Sequence, residues 1–207
     1  MKLRAVFLCA AMVAAVTGVA QAGGFRLGPT LGIGVPYGDF GDFYRSGFNL
    51  GGTATYDVSD QFGFGVDVAY HKWKTSAAAN SLVELAWAGL GFQVSYKEDL
   101  SAIQATAHGQ YNFPTAGSAK PYLRAGAGLY NLKDKFEFTG DIMTSGLENS
   151  KSEFGFNVGM GVNIQASELM AVGINGLYHF IAAKDLLGID LNTATVSVSL
   201  LWKAGGK

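Results

Sequence analysis

Between Phe25 and Trp202 apolar residues alternate with small or polar ones at a period of two, segment after segment, and this narrows the possible folds more than any other property of the chain. In the first segment Phe25, Leu27, Pro29, Leu31, Ile33 and Val35 alternate with Arg26, Gly28, Thr30, Gly32 and Gly34. Successive side chains of a strand point to opposite faces, so this is a strand with two unlike sides. The pattern returns over residues 48–58, 62–70, 103–113, 123–129, 154–164, 172–180 and 194–202. It predicts about eight strands of roughly 9–13 residues, long for a globular strand. About 11 residues at ~3.3 Å each, tilted near 40°, rise roughly 28 Å, enough to cross the ~25 Å apolar band of a membrane barrel.

The connections carry a second signal. Short joins at residues 59–61, 114–120 and 166–168 alternate with long segments at 36–46, 74–100, 133–152 and 182–190. Short turns at one end and long loops at the other are the plan of an all-β, eight-stranded, antiparallel up-and-down transmembrane β-barrel.

Alternation alone does not say which face is outside, since a soluble ligand-binding barrel would show it with the apolar side inward. The polar side decides. On a soluble surface it would carry many Lys and Glu, yet here it reads Gly155, Asn157, Gly159, Gly161, Asn163 and Gln165, or Thr195, Ser197 and Ser199. Only 15% of the chain is charged, and the 29 glycines are not accompanied by the proline of disordered or collagen-like chains, there being only 4. A formal net charge of −1 gives no basic footprint for nucleic acid. The reading is therefore an apolar face toward lipid and a narrow lumen lined by small residues. Aromatics near strand ends, Phe25, Phe62, Tyr70, Phe113, Phe154 and Trp202, are placed for interfacial girdles.

At the N-terminus Lys2 and Arg4 precede the apolar run from Ala5 to Ala20, and Ala20-Gln21-Ala22 supplies a small-x-small cleavage pattern. Residues 1–22 are predicted to be a cleaved signal peptide and residues 23–207 the barrel domain. Cys9, the single cysteine, lies inside that leader. The mature chain then has no disulfide, cysteine zinc site or cysteine nucleophile.

Three stretches resemble the small outer-membrane β-barrel families with OmpX-, OmpW- or OmpA-type transmembrane domains. They are Pro36-Tyr37-Gly38-Asp39-Phe40, the run from Lys120 to Tyr130, and the alternating last strand ending at Trp202. The resemblance covers residues 24–202. It implies location in the outer membrane of a Gram-negative envelope, insertion by the barrel-assembly machinery, contact with outer-membrane lipid, and roles as structural anchors, adhesins or conduits for small hydrophobic molecules.

Few ionisable residues fall on predicted inward faces: Arg26, Asp57, Asp67, His71, His108, Arg124 and His179. A charge out of water must be paired, so these are expected to form a polar network in the lumen, with a gate or polar pathway as the functional alternative. Counted upward from the short-turn ends, Arg26 lies level with Asp57, and Asp67 level with His108; contact between Asp67 and His108 is expected. None of the three histidines has a serine two residues away, which argues against a lipid-modifying enzyme, and paired metal-ligand motifs are absent. No catalysis and no cofactor are expected.

In the long segment 74–100, Leu82, Val83, Leu85, Ala86 and Trp87 form an apolar cluster of one or two helical turns. It reads either as the small core of a hairpin above the membrane or as an exposed patch for an extracellular partner or a small hydrophobic ligand. The leading expectation is an integral outer-membrane barrel with a structural, interaction or small-solute role. A soluble exported ligand-binding barrel and a lipid-modifying enzyme are the alternatives.

Overall fold

A computed structural model of the chain describes residues 24–91, 93–140, 144–183, 186 and 188–204. The leader predicted for residues 1–22 lies outside the described residues. In chain order the elements are β1 (Gly24–Tyr37), α1 (Asp39–Phe43), β2 (Tyr44–Asp57), β3 (Phe62–Thr75), α2 (Ala77–Ala88), β4 (Val94–Asn112), β5 (Ala119–Gly140), β6 (Thr144–Gln165), β7 (Met170–Ile181) and β8 (Leu191–Ala204). Each strand pairs antiparallel with the next, and β8 returns to β1, closing an eight-stranded up-and-down barrel.

The apolar positions of the alternation stand on the outside. Leu31, Ile33, Phe64, Ile103, Leu129, Phe156, Met160 and Val196 are each more than half exposed, while most of the polar residues between such positions are buried or half-buried. Glycine on the inner face is required by close approach. A Cβ on Gly65 would lie 2.6 Å from the His108 ring, and one on Gly161 would lie 2.5 Å from the Tyr122 ring.

Two expectations need correction. The segment 133–152 is not a loop, because β5 and β6 run on as a paired hairpin of 22 residues per strand. At ~3.3 Å per residue and a tilt near 40°, such strands rise about 55 Å, roughly twice an apolar membrane band. The segment 74–100 likewise contains a helix and the first residues of β4, and 36–46 contains α1 and the start of β2. Strand lengths are 12–22 residues rather than 9–13.

The extension is hard to see in the sequence because its alternation continues with inverted polarity. On β5 the outward residues run Leu123, Ala125, Ala127, Leu129 and then Asn131, Lys133, Lys135, Glu137, while the inward ones run Arg124, Gly126, Gly128, Tyr130 and then Leu132, Asp134, Phe136, Phe138. On β4 the outward side changes from Ile103 to Ser101, Asp99 and Lys97, and the inward side from Gln104 to Ala102 and Leu100. On β3 it changes from Tyr70 to Lys72 and Lys74. Cross-strand register puts these changes side by side, with Tyr70 opposite Ile103 and Ile103 opposite Asn131.

Above that level the barrel has an ordinary apolar core. Phe40, Trp73, Leu100, Leu132, Ile181 and Leu191 are almost fully buried together, with the Phe40 ring edge-on to Trp73 at 5.5 Å. β3 ends at Thr75 while β4 begins at Val94, so the top of β4 loses its β3 partner. Helix α2 fills that place. Ser76 caps it by accepting from the Ala79 N–H, and Glu84 accepts from the Tyr96 N–H at 3.1 Å, satisfying the open strand edge.

Candidate functional site

The seven inward ionisable residues gather into three clusters at three heights. Nearest the short-turn end, Arg26 on β1 meets Asp57 on β2 in a two-point pair, Nε–Oδ2 2.8 Å and Nη2–Oδ1 2.6 Å. Planar guanidinium and carboxylate match in this geometry, so the pair ties the ends of two neighbouring strands.

Above it, Arg124 from β5 reaches across the lumen to Asp67 on β3 and donates to both carboxylate oxygens. His108 on β4 joins them, with Nδ1 3.0 Å from Asp67 Oδ2 and Nε2 3.1 Å from the Thr55 hydroxyl. Arg124 also donates to Thr53 at 3.3 Å. All three side chains are almost wholly buried, so each charge depends on the other for its solvation. The bridge spans strands separated by β4 and braces the barrel across its interior.

Higher still lie His71 and His179, ring centroids 5.6 Å apart and edge-on. His71 Nε2 is 2.8 Å from Gln104 Oε1, and His179 is held by the Tyr130 and Thr195 hydroxyls at 3.0 Å each. His71 stacks on Trp73, where the polar lumen gives way to the apolar core closed by Phe40.

The loop cluster divides. Leu82 and Leu85 on α2 are about 70% exposed, whereas Val83 and Trp87 are half-buried. Packing against the edge of β4 therefore takes one side of the helix and leaves an apolar side open.

Residues 5–203 match the family described as an outer membrane protein beta-barrel domain. This chain belongs to that family. Among curated protein sequences none is significantly similar to it. Among solved structures it is similar to Neisserial surface protein A, with TM-score 0.54 and 19% identity over 88% of this chain and 97% of that one. It is similar also to the outer membrane protein OprG from Pseudomonas aeruginosa, with TM-score 0.52 and 17% identity over 90% and 98%. A major outer membrane protein from Thermus thermophilus gives TM-score 0.59 and 9% identity over 88% and 100%. At these identities the likeness is one of fold.

The protein is thus an outer-membrane barrel, and its exposed apolar belt faces lipid. Barrels of this kind keep short turns on the periplasmic side, which makes the long β4–β6 extension and both helices extracellular. One group in that extension goes beyond the residues singled out from sequence. Tyr44 and Tyr96 donate their hydroxyls to the two oxygens of Glu98, the second at 2.6 Å, beside Asp134, which is 2% exposed. Burial, and then the adjoining Glu98 carboxylate, push the Asp134 carboxyl up to about 7. The Tyr44 and Tyr96 hydroxyls are raised by burial and by Glu98. The signal for this group lies in the inverted alternation, where Glu98 and Asp134 occupy inward positions otherwise apolar.

Proposed function

We propose that the protein is a non-catalytic, closed outer-membrane barrel whose lumen serves as an internal brace and whose extracellular wall serves as an interaction surface, rather than a conduit for solutes. The observation that carries this reading is the filling of the lumen along its axis. The Arg26–Asp57 pair, the Asp67–Arg124–His108 bridge and the His71–His179 cluster follow one another, and the Phe40 core lies over them. A solute on that path would have to part an ion pair that exists only because both charges are sheltered together. The same placement argues against lipid chemistry, since the three histidines face the filled interior and not the lipid surface.

The test is conductance of the full-length purified protein in planar bilayers. No unitary steps above the bare membrane are expected. Stable steps in protein whose folding is verified by heat-modifiable migration would overturn the closed reading.

A further inference from the structure

At the top of the lumen three buried nitrogens on neighbouring residues have no hydrogen-bond partner among the described residues. They are Asn49 Nδ2 on β2 and His71 Nδ1 and Trp73 Nε1 on β3, and each residue is 3% exposed or less. Asn49 and His71 are direct cross-strand partners, and the His71 ring lies parallel to the Trp73 ring at 5.4 Å. The other polar atoms of Asn49 and His71 are committed. Asn49 Oδ1 accepts from the Ser197 hydroxyl at 3.1 Å. Gln104 donates its amide to Thr106 and so offers Oε1 to His71 at 2.8 Å, which sets the His71 proton on Nε2 and leaves Nδ1 bare.

Glycine lets these groups meet. Ser197, Gly32, Asn49 and His71 form one inward row across β8, β1, β2 and β3. A Cβ on Gly32 would run into the Ser197 hydroxyl, and one on Gly34, the next inward position of β1, would lie 3.2 Å from Trp73 Nε1. The Asn49 carboxamide and the Trp73 indole therefore lie over adjacent inward positions of the same strand. Few charged or titratable groups face them. His179 on β7 has both ring nitrogens taken by the Tyr130 and Thr195 hydroxyls. Asp67, four residues below His71, is held by Arg124 and His108. On β4 and β5 the apolar residues Leu100 and Leu132 stand between the row and the Glu98 and Asp134 carboxyls, and β1 and β8 face it with glycine, serine and threonine. A proton placed on His71 has no free carboxylate to balance it, so its counter-ion must come from solution.

We propose that Asn49, His71 and Trp73 form a binding site for one small monovalent anion, of halide or nitrate size, taken up together with a proton. The proton rests on His71 Nδ1 and turns the bare nitrogen into a third donor. The anion then accepts from three N–H groups that otherwise stay unpaired at a cost, and proton and anion enter as a neutral pair. A divalent anion would leave a charge unbalanced. The site needs no passage through the barrel, so the inference holds whether or not the lumen conducts.

Iodide quenching of Trp73 fluorescence tests it. The chain has three tryptophans, and W87F/W202F leaves Trp73 as the single indole. This full-chain variant is refolded into detergent micelles in iodide, with gluconate holding the ionic strength constant and heat-modifiable migration verifying the fold. Quenching should saturate at one site, with affinity rising about tenfold for each unit the pH falls between 8 and 5. In the same background Asn49→Ala should weaken binding roughly tenfold or more. His71→Gln should abolish the pH dependence and leave one weak affinity at both ends of the range. Quenching that grows linearly without saturating, as when water alone occupies the row, overturns the proposal. So does saturable binding with a pH-independent affinity, or an unchanged pH slope in His71→Gln.

Discussion

Below Tyr70, Ile103 and Leu129 the barrel is apolar outside and polar inside, and above them the same strands are charged outside and apolar inside. The hydrogen-bonded ladder is continuous through the change, so the backbone does not distinguish the two regions. What differs is the solvent each outer face meets. In hydrocarbon an outward Leu is at home and a charge is not, so charges are confined to the lumen and must be paired there. In water the ordinary rule returns, and the interior can be an oily core. The reversal, followed along one strand, locates the membrane surface to within about one repeat of the pleat, roughly two residues.

The lower region should respond most strongly to losing a lumen partner. Asp67→Asn leaves Arg124 buried with His108 and Thr53 as its remaining partners, and is expected to cost about 3–5 kcal/mol, measured by urea unfolding from vesicles. Equal stability of Asp67→Asn and wild type would mean that the lumen is wet enough to solvate Arg124. The next effect contrasts outer faces. Leu123→Arg, about 15 Å below Leu129 on the same outward face of β5, places a cation against lipid near the middle of the belt and should cost about 2–4 kcal/mol. Lys133 already stands two outward positions above Leu129 on β5, with 47% of its side chain exposed and paired with Glu148, so Lys133→Arg should be neutral.

The smallest effect belongs to the upper region and depends on pH. Asp134 has its folded-state pKa raised from 3.8 to about 7, so the folded state binds the proton more tightly than the unfolded chain. Its favourable contribution is complete below pH ~4 and is lost as pH rises through about 7. Asp134→Asn should therefore stabilise the extension above pH 7, by about 1–2 kcal/mol, and give no gain at pH 4, as read by proteolysis of the β5–β6 hairpin. A gain that is the same at both pH values would show that Asp134 is not titrating there.

Much of the molecule is legible in its sequence, and the limit has a physical cause. Alternation in Phe154–Ile164 needs only the period of a strand to be read, and the small residues opposite it disclose the lumen. Arg26, Asp67, His108 and Arg124 stand out because charge is scarce on inward positions. Spacing along the chain does not match Arg124 with Asp67, because shear between strands sets which inward residues meet. The extension resembles loops because Lys133, Lys135 and Glu137 look like solvent-exposed connection until Leu132, Phe136 and Phe138 are seen between them.

The position of the reversal can be measured as a depth. Nitroxide labels placed singly at Leu129, Asn131, Lys133 and Lys135 in protein reconstituted into bilayers report collision with lipid-soluble oxygen or with a water-soluble nickel chelate. Oxygen should dominate at Leu129 and the chelate at Lys133 and Lys135, with the crossover at Asn131. Oxygen dominance persisting through Lys135, or chelate access already at Leu129, would contradict a membrane surface at the reversal.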